Sequence, residues 1–208
     1  MTWALLVLLL LGFAGSTRAA EVIRYSPVPN SSKLRMDGTS TIHDWHAETD
    51  VIGGFMELEA TFPDASGNSA PTSLKPRVEV KIPVRTLKTS GGKRMDAVMQ
   101  EHMKFEQNKT IAYRVLELAP KAKATAGASQ SQFEARGMLT VAGVTRTNTM
   151  AVTIERLEKT RLKVIGTTAL KMTDFGISPP APDIGLGLIK TGDDLKLTFE
   201  WVTEQKPQ

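Results

Sequence analysis

Hydrophobic and polar residues alternate with a period of two along most of this chain. Val78, Val80, Ile82 and Val84 fall on one side, with Arg77, Glu79, Lys81 and Pro83 on the other. The same alternation runs through Ile111, Tyr113 and Val115, then through Phe133, Ala135, Gly137, Leu139 and Val141. It returns in Met150, Val152 and Ile154, and in Leu195, Leu197, Phe199 and Trp201. Leu162, Val164, Gly166, Thr168 and Leu170 repeat it more weakly. Such a period marks a half-buried strand, and strands with one apolar face belong to antiparallel sheets wetted on one side. Turn chemistry separates the runs: Asp64-Ala65-Ser66-Gly67-Asn68, Ala142-Gly143, Glu158-Lys159-Thr160 and Thr191-Gly192-Asp193-Asp194. Strands expected around 40–46 and 52–62 bring the count to about eight. An open sheet of that width has exposed edges, and closure into a barrel removes them. The expected fold is all-β, an eight-stranded antiparallel barrel.

One segment breaks the period. From Arg94 to Phe105 the apolar positions are Met95, Val98, Met99 and Met103, with His102 on the same face. That spacing predicts one short helix over about 94–105, lying near one end of the barrel. Its methionines are adaptable fillers, suited either to a lid over a varied apolar ligand or to closing a dry core. Lys121 to Ser131, rich in Lys, Ala, Ser and Gly, reads as a hairpin loop, and Pro179, Pro180 and Pro182 mark another irregular stretch.

The N-terminus is of a different kind. Ala4 to Phe13 is an unbroken Leu-rich run, half the roughly 20 residues that a membrane span needs. Small residues at Thr17 and Ala19 suit cleavage after Ala19. Residues 1–19 therefore read as a secretory signal peptide, and 20–208 as the mature barrel domain, periplasmic or secreted and not stably inserted in a membrane. The chain has 208 residues and no cysteine, which excludes disulfides, thiolate nucleophiles and zinc thiolate sites. A net charge of +4 is a mild excess. Lys and Arg are spread evenly among acids, with no basic face interleaved with aromatics, so no nucleic-acid partner is expected. Two Tyr and three Trp are too few for the aromatic girdles of an outer-membrane barrel.

Catalytic and metal templates fit poorly. His43 and His46 are three apart, which on a strand points them to opposite faces, so no metal site is expected. Gly38-Thr39-Ser40-Thr41-Ile42 lacks the second glycine of a nucleophile elbow. Gly92-Lys93 is followed by Arg94 and not by Ser or Thr, so no phosphate loop exists. Gly185-Leu186-Gly187 is followed by Lys190 where a dinucleotide fingerprint needs glycine. No catalytic residue and no cofactor is assigned. Small residues at inward positions (Ala135, Gly137, Gly166) are expected to leave room inside the barrel for one slim ligand.

Several segments in order resemble the YceI-like family. They are Gly38-Thr39-Ser40-Thr41-Ile42-His43-Asp44-Trp45, Val78 to Pro83 followed by Leu87-Lys88, and Gly137-Met138-Leu139-Thr140-Val141-Ala142-Gly143-Val144-Thr145-Arg146. Thr173-Asp174-Phe175-Gly176-Ile177 and Gly192-Asp193-Asp194-Leu195 continue the set, which spans roughly Ser31 to Thr203. The resemblance implies a lipocalin-like barrel with a long hydrophobic pocket for a polyisoprenoid or related long-chain lipid, in an extracytoplasmic protein without established catalysis. The expected ligand-contacting set comprises Val80, Ile82, Tyr113, Phe133, Leu139, Phe199 and Trp201 on strands. Met95, Met99 and His102 join it from the helix, His43 and Trp45 from the rim, and Phe175 from the late motif. Other readings stay open: an enzyme acting on a lipid in the same pocket with His43 or His102 as base, and a solid structural or interaction barrel. A membrane-bound donor or acceptor and a homodimer also stay open as partners.

Overall fold

The computed structural model describes residues 21–60, 62, 76–121, 129–181 and 189–206. The expected signal segment 1–19 and the turn at 64–68 lie outside these residues, as do Pro182 and most of the 121–131 loop. Eleven strand segments and one α-helix are formed among the described residues. They are β1 (Val22–Pro27), β2 (Lys33–Ser40), β3 (Trp45–Thr49), β4 (Gly53–Glu59), β5 (Arg77–Pro83), β6 (Lys88–Thr89), α1 (Gly92–His102), β7 (Thr110–Pro120), β8 (Gln130–Val141), β9 (Val144–Arg156), β10 (Arg161–Lys171) and β11 (Thr191–Gln205).

These segments make a closed antiparallel barrel of eight staves. β1 and β2 are two halves of one interrupted stave, as are β3 and β4, and β5 and β6. β4 pairs with β1 on one side and β5 on the other, and β3 pairs with β2 on one side and β6 on the other. β7 to β11 continue the meander. β11 closes it against both β1 and β2, with Tyr25 opposite Gln205 and Phe199 opposite Leu34. Among the described residues, closure leaves no long unpaired edge. Two irregularities fall inside the strands themselves. Gly54 sits at φ +118° against the carbonyl of Glu79, a backbone position that a side chain would overlap. In β7 one extra residue at Leu116 breaks register with β8, so the inward face passes from Val115 to Leu118, which is buried, instead of to Glu117, and Leu116 stays outward at 42% exposure.

Alternation places the apolar residues inside. Leu34, Met56, Ile82, Leu139, Val152 and Val164 belong to one continuous buried cluster. The barrel has a solid floor: Tyr25, Leu58, Phe62, Phe133 and Leu162 are buried at the end where β10 begins. The rings of Phe62 and Phe133 meet at 5.4 Å between centroids, and Arg156 Nη2 donates to the Phe62 carbonyl at 3.0 Å.

The opposite end carries α1. It spans Gly92–His102, starting two residues earlier and ending three earlier than the alternation break suggests. Lys104, at φ 52°, turns the chain away from helix, and Met103 still packs inward at 7% exposure. Asp96 pins α1 to β6, accepting from the Thr89 amide at 2.7 Å and the Thr89 hydroxyl at 2.8 Å.

The strand expected around 40–46 starts only at Trp45. Residues 40–44 form a tight bend in which Ser40 Oγ accepts from the amides of Ile42 at 3.3 Å and His43 at 3.2 Å and donates to the His43 carbonyl at 2.7 Å. A serine that satisfies its own backbone in this way competes with the ladder. The strict alternation of faces used for His43 and His46 therefore does not extend to His43.

Candidate functional site

Between floor and helix the barrel encloses a cavity of about 530 Å³, within the roughly 300–1,000 Å³ usual for small-molecule sites. Its wall is apolar along the staves, from Met95 and Met99 on α1 down to Trp201 and Ala135 near the floor. Of the thirteen residues expected to meet a ligand, twelve line it: His43, Trp45, Val80, Ile82, Met95, Met99, His102, Tyr113, Leu139, Phe175, Phe199 and Trp201. Phe133 does not. It points inward as alternation requires, but it lies one layer deeper, against Phe62 in the floor.

The small inward residues do not make the room by being vacant. A Cβ on Gly137 would fall 2.5 Å from Tyr113 Oη, and one on Gly166 would fall 2.6 Å from Phe199 Cε1. A Cβ on Gly38 would fall 2.5 Å from Trp45 Cε2. In each case an aromatic ring from the neighbouring stave lies flat over a glycine. The glycine lets the ring hug the wall, so a bulky residue adds contact area without crossing the lumen. The correction to the expectation is one of mechanism: the space is made by where the rings lie.

Polar lining groups gather at the helix end. Ser40, His43, Thr89, Ser90, Arg94, His102, Lys171 and Thr191 all face the cavity there. His102 Nδ1 lies 2.8 Å from the Ser178 carbonyl, tying α1 to the segment after β10. His43 Nδ1 lies 2.9 Å from the Asp44 carbonyl. Trp45 Nε1 donates to the Thr39 carbonyl at 3.1 Å. Lys171 is paired with Asp194 at 2.9 Å, and that partnership holds its ammonium above the ordinary lysine range. Deeper in the lumen, burial pushes the Tyr113 phenol up to about 12. Among the described residues its hydroxyl reaches only the Ala135 carbonyl, at 3.5 Å.

Sequence reasoning weighed Arg94, with Lys93 and Lys104, as a cation that could attract an anionic head group but left it out of the ligand-contacting set, and it did not assign Lys171 or the polar collar as a unit. The signal was partly there, since Arg94 precedes Met95 on the apolar helix and Lys171 ends an alternating strand.

A closed eight-stave barrel with an apolar lumen and a polar mouth defines a class of small barrels with space for one slender ligand. Residues 25–203 match the YceI-like domain, and the chain belongs to that family. No curated protein matches it. Among solved structures it is similar to a polyisoprenoid-binding domain from Saccharophagus degradans implicated in plant cell wall breakdown. That pair shares 14% identity over 88% of this chain and 99% of the other, with a TM-score of 0.63. BcnA from Burkholderia cenocepacia shares 13% identity over 85% and 98% of the two chains, with a TM-score of 0.62. The YceI protein of Campylobacter jejuni shares 14% identity over 78% and 85%, with a TM-score of 0.54.

Proposed function

We propose that this protein is a non-enzymatic, extracytoplasmic carrier or store for a long apolar molecule of the polyisoprenoid class, held inside the barrel with its tail toward Trp201. The observation that carries the reading is the apolar lumen of about 530 Å³ that runs from α1 to the Phe62–Phe133 floor. A chain burying roughly 500 Å² of apolar surface there gains on the order of 12 kcal/mol before the costs of association. An exposed head-group ion pair adds only about 0–1 kcal/mol. The tail therefore sets affinity and the mouth tunes it. The chain's similarity to a polyisoprenoid-binding domain supports the ligand class. A binding role is also supported by the mouth histidines, which bond backbone carbonyls, with no hydroxyl nucleophile on either ring among the described residues. The extracytoplasmic placement rests on the N-terminal pattern of residues 1–19.

The test is mass spectrometry of organic extracts from the purified protein, paired with fluorescence titration using prenyl and acyl probes. Trp45 and Trp201 line opposite ends of the lumen and report its filling. A stoichiometric lipid, or saturable quenching by a prenyl probe, is the expected result. Absence of both returns the protein to a ligand-free structural barrel.

A further inference from the structure

The mouth carries a definite pattern of spent and unspent hydrogen-bonding groups. Ser40 gives its hydroxyl proton to the His43 carbonyl at 2.7 Å, and Thr89 gives its own to Asp96 at 2.8 Å. Lys171 is committed to Asp194 at 2.9 Å. No carboxylate is among the described lining residues. Arg94, which lines the cavity at this end, has no ion-pair partner among the described residues.

The two histidines complete the pattern. A neutral imidazole has one N–H and one lone pair. Both His43 and His102 face a backbone carbonyl through Nδ1, at 2.9 and 2.8 Å. A carbonyl can only accept, so in each neutral ring Nδ1 bears the proton and Nε2 is left as an acceptor. Nothing among the described residues engages either Nε2. Among the described mouth residues the unspent acceptors are therefore the two imidazole lone pairs, and the unspent donors are the Arg94 guanidinium and the hydroxyls of Ser90 and Thr191.

We infer that the mouth selects a head group carrying a hydroxyl, such as a long-chain alcohol or phenol, which donates to Nε2 of His43 or His102 while its oxygen accepts from Arg94. A ketone, quinone, ether or ester can satisfy only these donors and sets its lone pairs against those of Nε2. His43 is exposed and His102 half-buried, so water serves both rings until a ligand arrives; a head group that covers such an acceptor without offering a donor takes it from water unpaired and forfeits the bond. This inference rests on the carrier reading and adds the head-group chemistry to it.

The experiment measures equilibrium binding, in mildly alkaline buffer, of a long-chain prenyl alcohol and its methyl ether, which share one tail. The intact protein binds the alcohol about fivefold more tightly, the margin of one neutral hydrogen bond. In His43→Phe/His102→Phe the ratio falls to one. Equal affinities in the intact protein, or a preference that survives in the double variant, overturn the head-group assignment. Binding of neither ligand overturns the carrier reading and this assignment with it. A second measurement needs no variant: nitrogen NMR of the intact protein shows Nδ1 protonated and Nε2 bare in both rings, and the alcohol but not the ether shifts a bare Nε2 signal. Protonated Nε2 with bare Nδ1 overturns the assignment.

Discussion

Phe199 lies over Gly166, its direct cross-strand partner on the neighbouring stave, and occupies the volume that a side chain at Gly166 would need. The ring is thereby laid along the wall, 2.6 Å from where a Cβ would stand. Gly166→Ala forces the ring off the wall, and the space it can enter is the lumen. We expect a stability loss of about 1–3 kcal/mol from overpacking, together with weaker retention of long-chain ligands. Adding Phe199→Leu restores both in part, because the two sites share one volume and do not add independently. Denaturant unfolding and prenyl-probe titration of the two variants read this directly. Additive losses would show that the ring and the glycine are not coupled.

This pair also shows what alternation discloses. Inward and outward positions along β5, β8, β10 and β11 follow from a period of two, because each residue of a strand reverses face. Val80, Ile82, Leu139, Phe199 and Trp201 were legible on that ground as inward residues. Depth along the barrel axis is not encoded in the period. Phe133 shares its face with Leu139 yet belongs to the floor, and only the register between β8 and β9 places it there. Local polar competition was also hidden. Ser40 turns residues 40–44 into a bend instead of a strand. The extra residue at Leu116 reverses the parity of β7 beyond Val115. The polar collar stayed unread for a similar reason: its members come from a bend, a helix and several strand ends far apart in the chain, and only closure brings them to one rim.

Asp96 is the hinge pin of α1. Burial works against its charge, but bonds from the Thr89 amide and hydroxyl, with Lys88 nearby, outweigh that and hold its carboxyl below the ordinary value of 3.8. A group with a depressed folded value stabilises the fold above its unfolded value. That contribution is lost as pH falls through the lower folded one. Lowering the pH from neutral to below 3.8 should therefore loosen α1 before the barrel opens. Asp96→Ala should loosen it at neutral pH, at a cost of about 1.5–3 kcal/mol for the charged hydrogen bonds. Hydrogen exchange of the α1 amides checks this. Exchange in the variant that matches the intact protein at neutral pH would remove Asp96 from that role.

Tyr113 titrates late. Burial over Gly137 pushes its phenol to about 12 from 10.0. Its value is raised on folding, so the stability it confers is complete below pH 10.0 and is lost as pH climbs through about 12. Ultraviolet titration of phenolate absorbance should show one tyrosine ionising at about 12, and Tyr113→Phe should delete that step. A step that persists in the variant would assign the late titration elsewhere.

The floor sets the length of tail that fits. Phe133 and Phe62 close the lumen at 5.4 Å between ring centroids, with Ala135 and Trp201 just above them on the cavity wall. Phe133→Ala removes the ring that faces Phe62 and extends the lumen toward β1. The cavity term makes this costly, about 3–5 kcal/mol, so Phe133→Leu, which trims the floor while keeping it apolar, serves as the milder variant. Each methylene newly buried adds about 0.8 kcal/mol to binding. A series of prenyl chains of increasing length should therefore reach its affinity plateau at a longer chain in either variant than in the intact protein. Short chains that end above the floor should bind both forms alike. If the plateau stays at the same chain length, the tail does not run toward the floor, and the ligand instead enters with its polar end first.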